Sequence, residues 1–210
     1  MSISENPLVG HMRKSMGNFT MYTYYDKNIV RLKAFKIKDP KTEKQLIMRA
    51  RMTLMAEMYK GFRSIIALGF PENSYAKSPQ NMFVSANFNS AFVMTENVPA
   101  ISYPQLLLSK GSLPAVKVTE AITGAEGITL RYDALALFPE VIATDEIIAC
   151  ARLITGGLLI ARQFTGIEPI GSILLKYPAL QAEDVACCYV FVRSGDGKKT
   201  SDSIYVPISI

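Results

Sequence analysis

Tryptophan is absent from this 210-residue chain, and histidine occurs once, as His11. Without a second histidine no multi-histidine metal site can form, and any Ser-His-Asp or Cys-His site would depend on His11 alone. The sequence also lacks a Gly-rich phosphate loop, a nucleophile elbow and a C-x-x-C pair. We therefore predict that the protein is not an enzyme, with no catalytic residue, no metal site and no cofactor. Adjacent acids at residues 145–146 and 183–184 could bind a cation, but both pairs begin predicted strands, where acids are ordinary turn residues.

Cysteine is scarce, with only Cys150, Cys187 and Cys188. An odd number in a sequence without a secretory signal fits a reducing compartment and small buried hydrophobic residues better than a disulfide framework. A bridge from Cys150 to one of the other two is the alternative.

Long apolar runs are missing as well. The first residues show neither the apolar stretch nor the cleavage site of a signal peptide, and the uncharged window from Ser78 to Thr95 contains too many Asn and Gln side chains for a membrane span. We expect a cytoplasmic or virion-associated protein that is not secreted by a signal peptide and does not contact membrane.

What is present is a balanced composition with an uneven charge. Apolar residues make up 49% and charged residues 20% of the chain, as in ordinary globular proteins, and the length suits two domains. Residues 1–63 carry a net +8 and the remainder −3, which together give the overall +5. A positive charge concentrated in one part of the chain favours an anionic partner, whether nucleic acid, an acidic protein face or an oppositely charged subunit. The alternative is a solvated surface that aids solubility.

Two runs rich in β-branched and aromatic residues, Asn18 to Tyr25 and Asn28 to Ile37, predict a β-hairpin. One face of the second strand is expected to pack, through Val30, Leu32 and Ala34. The other face and the residues after it form a candidate basic interaction surface, Arg31, Lys33, Lys36 and Lys38. Aromatic side chains beside it could stack on bases, or could instead fill the core.

The segment DPKTEKQ, which begins at Asp39, has the spacing of a helix start. With Thr42 as N-cap, its hydroxyl accepts from the N–H of Gln45, while the Gln45 side chain reaches back to the N–H of Thr42. This capping box gives Thr42 and Gln45 a structural role. The helix is predicted to run to about Leu68 and to stop at Gly69. Its apolar arc is wide enough to require a second helix or another subunit, because Met48, Met52, Met55 and Tyr59 extend it.

Ser78 and Pro79 are typical of a second helix start, before QNMFVSANFNSAFVMT. Residues 103–114 favour a short strand and a turn, and we place a domain boundary near residue 114. Beyond it, seven short apolar runs separated by Gly, Pro and Asp turns predict an antiparallel β-sandwich of immunoglobulin-like or fibronectin-like type. The predicted strands cover residues 115–122, 127–135, 145–154, 158–164, 172–179, 184–192 and 201–210. The predicted fold class is therefore α+β, with a basic head of hairpin and two helices in residues 1–114 and the sandwich in residues 115–210.

Several motifs together resemble an uncharacterised bacterial domain-of-unknown-function family found in the Bacteroides group. They are Gly10 and Gly17, PKTEKQLIMRAR from Pro40, Gly69-Phe70, NMFVSAN from Asn81, YPQLLLSKGSL from Tyr103, and YVFVRSGDGKKTSDSIY from Tyr189. The sequence departs from the family pattern at Tyr132, where the family often has Trp. The resemblance implies a small α/β head followed by an immunoglobulin-like half, and it implies no chemistry.

Two functions remain from the sequence. The first is a non-enzymatic structural protein that assembles with itself or with neighbouring subunits, in a bacteriophage virion or another mobile-element particle. The alternative is nucleic-acid binding through the basic N-terminal hairpin.

Overall fold

The computed structural model describes residues 2–4, 14–24, 27–33, 39–71, 78–133, 144–164, 170–178 and 180–208. Within these ranges the protein has an α+β fold with two helices and thirteen strands, and every sheet is antiparallel. The helices are α1 (Glu43–Gly69) and α2 (Pro79–Asn87). The strands are β1 (Ser2–Ser4), β2 (Lys14–Met16), β3 (Phe19–Tyr24), β4 (Lys27–Leu32), β5 (Phe92–Thr95), β6 (Val98–Ile101), β7 (Lys117–Gly124), β8 (Gly127–Asp133), β9 (Glu146–Leu153), β10 (Leu158–Phe164), β11 (Ile170–Lys176), β12 (Val185–Arg193) and β13 (Ile204–Tyr205).

The chain divides into two compact units, Met1–Thr42 and Glu43–Ile210. The N-terminal unit holds one sheet with the strand order β1-β4-β3-β2. Its central hairpin, β3 and β4, is the hairpin that the sequence predicts. The second unit contains both helices together with the strands beyond residue 114. The predicted boundary near residue 114 stays a prediction, because compactness alone does not define which segments fold independently.

All seven strands predicted beyond residue 114 are present, in two sheets with the orders β11-β8-β7 and β10-β9-β12-β13. The sheets enclose a common apolar core, so this part of the chain is a β-sandwich. The last strand is shorter than predicted, since β13 consists of Ile204 and Tyr205, with an isolated bridge at Ser201, and residues 209–210 lie outside the described ranges.

The central strands β9 and β12 are buried on both faces. On β12, Cys188, Val190 and Val192 face the sandwich core, while Cys187, Tyr189 and Phe191 face a second core formed with the helices. Phe62 of α1 and Tyr189 meet edge to face, with ring centroids 6.1 Å apart. The second unit therefore stacks three layers, in which the sheet β10-β9-β12-β13 lies between the three-stranded sheet and the helices.

The helix starts follow local sequence, but the predicted extent of α2 is wrong. α1 ends at the predicted Gly69, and α2 begins at Pro79 with the Ser78 hydroxyl accepting from the N–H of Asn81 at 3.3 Å. The sequence pattern extended α2 to Thr95, whereas it ends at Asn87 and Phe92–Thr95 is strand β5. Val93 and Thr95 are β-branched and pair with β6, which overrides the loose helical pattern. Residues 103–105 form a 3₁₀ turn where a short strand was predicted.

Candidate protein-interaction surface

The N-terminal half of α1 and the β5–β6 hairpin lie against each other and expose apolar side chains. The hairpin turn is held to the helix by Asn97, whose Nδ2 donates to Oε1 of Glu43 at 2.6 Å. Glu96 and Asn97 have positive φ angles of 49° and 67°, as a type I′ hairpin turn requires. We call five of the exposed apolar side chains of these two elements the helix–hairpin surface, namely Met48, Met52, Val93, Met94 and Val98. In the hairpin, Met94 lies on the same face as Phe92, and Val93 and Val98 lie on the other face.

The helix–hairpin surface begins where the second core ends. Along the predicted apolar arc of α1, Met55 is fully buried and Tyr59 is half-buried, but Met48 and Met52 are 49% and 50% exposed. On the hairpin, Val93 and Val98 occupy the face opposite Phe92 and are more than half exposed. The described residues therefore cover only part of the apolar arc for which the sequence predicts a second helix or another subunit.

A cation of α1 lies against the β5–β6 hairpin. The guanidinium of Arg51 stacks over the ring of Phe92, with Cζ 5.3 Å from the ring centroid. Its Nε is buried and has no hydrogen-bond partner among the residues that the structure describes. The ring of Phe92 thus supports this side chain.

The predicted basic surface lies in the N-terminal unit. Arg31 and Lys33 are exposed, whereas Lys36 and Lys38 lie outside the described residues. The Arg31 guanidinium stacks over the Tyr22 ring at 5.6 Å, so this ring face is occupied by the protein's own cation. The structure thus brings Arg31 together with Tyr22, an aromatic residue of the predicted hairpin.

The predicted packing of β4 is wrong at Leu32. This residue is 64% exposed, whereas Ile29, on the face that carries Arg31, is buried. The reason is the short edge strand β1, which pairs with β4 only from Asn28 to Val30. Leu32 extends past the end of β1 and shares an exposed apolar row with Met16 and Phe19 across three strands.

Thr42 immediately precedes α1, which is the N-cap position, and Gln45 is the third residue of the helix. Upstream, the N–H of Lys41 lies 3.3 Å from Oδ1 of Asp39, and Lys41 has a φ of 48°. The position of the helix start agrees with the capping box, while its two hydrogen bonds stay a prediction.

Other motif residues meet in a buried polar seam between the helices and the sandwich. Asn87, at the end of α2, is fully buried, and its side chain forms hydrogen bonds with both the carbonyl and the N–H of Leu107. Its Nδ2 donates to the Leu107 carbonyl at 2.8 Å, and the Leu107 N–H donates to its Oδ1 at 2.7 Å. The same Nδ2 also donates to the Phe83 carbonyl at 2.9 Å. The last Asn of the NMFVSAN motif thus fastens the segment after β6 to α2.

Small hydroxyl residues continue this seam, and spacing in the sequence gave no sign of their proximity. The Ser109 hydroxyl donates to the Ser201 carbonyl at 2.6 Å, and the Leu108 N–H donates to the Ser203 hydroxyl at 2.8 Å. Thr200 lies within 3.3 Å of the Gly69 carbonyl, to which its hydroxyl donates. The YPQLLLSKGSL and TSDSIY segments therefore pack together as structural elements.

The cysteines and Tyr189 are held in their neutral forms. All three cysteines are free, buried thiols. Burial raises the pKa of Cys187 to about 11 and that of Cys188 to about 12, and it also raises the pKa of Tyr189. The Tyr189 hydroxyl donates to the Tyr103 carbonyl at 2.9 Å. These thiols have the opposite of the depressed pKa that a nucleophilic cysteine needs.

Across the described ranges, no group of three or more His, Cys, Asp or Glu side chains has the arrangement of a metal site. Neither helix of the described chain has an apolar stretch of the length that crosses a bilayer.

Comparison with known proteins identifies the family. No curated protein and no solved structure gives a significant match to the chain. One family model matches residues 11–207, which span both compact units and include all the motifs from Gly17 onward. The chain belongs to this family, the family of unknown function DUF6266.

Proposed function

We propose that this protein is a non-enzymatic structural component that assembles through protein–protein contacts in a bacteriophage virion or another mobile-element particle. The observation that carries the proposal is that Met48 and Met52 continue the apolar arc of α1 beyond the fully buried Met55 and are 49% and 50% exposed. Exposed apolar clusters of this kind mark interaction sites, whereas scattered exposed apolar residues do not. Methionine suits such a contact because its unbranched side chain adapts to a partner.

The architecture supports a structural role. Hydroxyl and amide side chains from the family motifs are satisfied by backbone groups inside the seam, so their chemistry serves the rigidity of the second unit. A rigid unit with an exposed contact surface is the form of an assembly subunit.

We further propose that the β-sandwich is immunoglobulin-like, of the fibronectin type. Counting its seven strands in chain order, the first, second and fifth form one sheet (β7, β8, β11) and the other four form the second sheet. In the constant-type immunoglobulin domain the fourth strand joins the first sheet, whereas here β10 pairs with β9. An experimental structure that pairs β10 with β11 in one sheet would contradict this topology.

The particle proposal is tested by fractionating the producing cells and their particles by size and density. The native chain is expected in a complex much larger than its own 23.2 kDa. The double variant Met48→Gln/Met52→Gln should lose this association, because it removes apolar contact area but keeps helix propensity. The matched control Ile122→Gln/Phe164→Gln changes apolar residues of 45% and 63% exposure outside the surface and should stay in the complex. A native chain that fractionates as a free monomer would overturn the proposal.

The second candidate is nucleic-acid binding through the basic N-terminal unit. The exposed Arg31 and Lys33 favour it. Binding to DNA or RNA should then weaken steeply with salt, and replacing Arg31, Lys33, Lys36 and Lys38 by Gln should reduce the salt slope by about one per lost phosphate contact. We favour assembly, because the Tyr22 ring is already stacked against Arg31. Nucleic-acid binding that persists at physiological salt, without any large complex, would reverse this choice.

A further inference from the structure

The β-sandwich of the second unit is open along one side. β7 is the edge strand of the three-stranded sheet, and β13 is the edge strand of the other sheet among the residues that the structure describes. Between the two edges lies a groove with a volume of about 490 Å³, lined by residues 116–122 and residues 204–207. Val206 belongs to the apolar core of the sandwich and Val118 packs against that core, so the groove has an apolar wall. We call this space the edge groove.

The backbone of β13 can form hydrogen bonds on the groove side. The N–H of Val206 donates to the Cys188 carbonyl at 2.9 Å, so Val206 directs its backbone groups toward β12. Backbone groups of successive residues in a strand point in opposite directions, so the N–H and the carbonyl of Tyr205 point toward the groove. The β7 side is less regular, because a bulge interrupts that strand between Val118 and Glu120. The edge at Tyr205 is therefore the better template for another extended segment.

The chain itself shows what kind of segment fits beside this edge. At one end of the groove Leu113 forms a parallel bridge with Ser201, and the Leu113 N–H donates to the Thr200 carbonyl at 3.0 Å. Beyond this bridge the two stretches continue in the same direction, but the first of them joins the three-stranded sheet as β7. Residues 204–207 then have no strand beside them on the groove side in the described part of the chain. An added extended segment would continue the pairing that Leu113 begins.

We propose that the edge groove binds an extended segment of another protein by strand addition. The segment pairs with the backbone of Tyr205 and buries alternate side chains against Val118 and Val206. Backbone hydrogen bonds supply the affinity of such a contact, and the pockets for alternate side chains supply its specificity. The partner segment is therefore apolar at every second residue, and its extended conformation favours β-branched residues there. This contact goes beyond the proposed function, because the residues that line the groove are separate from the helix–hairpin surface.

The test uses the full chain and a displayed library of random 12-residue peptides. Peptides enriched on the native chain are expected to carry apolar residues at alternate positions. Copies of one enriched peptide, each N-methylated at a single residue, then report on backbone pairing, because each methyl group removes one donor. Methylation should weaken binding about tenfold or more at alternate residues, where a hydrogen bond is lost. It should have little effect at the residues between them, whose N–H groups point away from the edge.

The protein side is tested with Val118→Gln, which places a polar amide in the apolar wall of the groove and should weaken binding of the same peptide about tenfold. Val93→Gln makes the same change on the helix–hairpin surface and should bind the peptide like the native chain. If Val118→Gln lacks the native circular dichroism spectrum, the methylation series decides alone.

A library without enriched peptides, or methylation effects that do not alternate along the peptide, would overturn strand addition. Native binding strength in a folded Val118→Gln variant would overturn the groove as the site. Self-association of the native chain that the peptide displaces would assign the edge to a second copy and overturn a separate partner. None of these outcomes changes the fractionation result that depends on Met48 and Met52, so the two proposals fail separately.

Discussion

At the scale of single residues, Asn87 shows how a motif residue serves the fold. Asn87→Ala removes three hydrogen bonds and leaves the Leu107 N–H without its acceptor. The free energy of unfolding should fall by about 2 kcal/mol or more, the cost of an unsatisfied buried donor together with the lost bonds. Urea denaturation measures this, with the exposed Asn89→Ala as control. Equal stability of the two variants would show that Asn87 does not fasten this segment.

Cys187 makes a residue-scale prediction about pH. Its pKa is raised from 9.0 to about 11 by burial, so the unfolded chain loses the thiol proton at a lower pH than the native protein does. The native state then binds more protons than the unfolded state between pH 9 and 11, and stability must fall as the pH rises through this window. A pKa difference of two units makes the contribution of Cys187 about 3 kcal/mol.

The check for Cys187 is denaturation of the native chain and of Cys187→Ala from pH 8 to pH 11. The loss of stability with rising pH should be smaller in the variant, because other groups that titrate in this range are common to both. Identical pH dependence would contradict the buried, neutral thiol.

At the scale of elements, the start of α1 carries a prediction from sequence. Thr42 immediately precedes the first helical residue, so Thr42→Ala should lower the free energy of unfolding by about 1 kcal/mol through loss of the N-cap. Thr53→Ala is the control, since the Thr53 hydroxyl donates to the Arg49 carbonyl inside the helix and caps nothing. Partner binding should be unchanged in Thr42→Ala at temperatures where it is folded. Abolished binding with unchanged stability would identify Thr42 as part of a binding motif.

The positions of the strands were predictable at this scale, but the burial of both faces of β9 and β12 was not predicted. The runs EIIACARL and VACCYVFVR hold few polar residues, a pattern that indicates a strand buried on both faces. The sequence pattern predicts only a two-layer sandwich, with these strands in one of its sheets. The apolar outer residues Cys187, Tyr189 and Phe191 were the available signal for a helical layer.

At the scale of the whole molecule, this second core predicts which fragments fold. A fragment of residues 115–210 would expose the outer face of β12, which in the whole chain packs against α1 and α2. It should aggregate or lose its tertiary structure, because several large apolar side chains lose their burial together. A fragment of residues 43–210 should stay soluble and unfold in one transition. Circular dichroism and size-exclusion chromatography compare the two, and a stable 115–210 fragment would instead support the domain boundary near residue 114.

The sequence by itself determined the local elements and the family. Helix starts, the Gly69 stop and seven strands follow from caps, glycines and alternation, because these signals act over a few residues. The tertiary structure alone decided the stacking of the helices on the sheet, the meeting of Asn87 with Leu107, and the approach of Ser109 to Ser201. It also decided that Met48 and Met52 lie beyond the core while Met55 lies within it. Contacts between residues far apart in the chain depend on how complete layers pack, and periodicity in one segment carries no information about which other segment covers it.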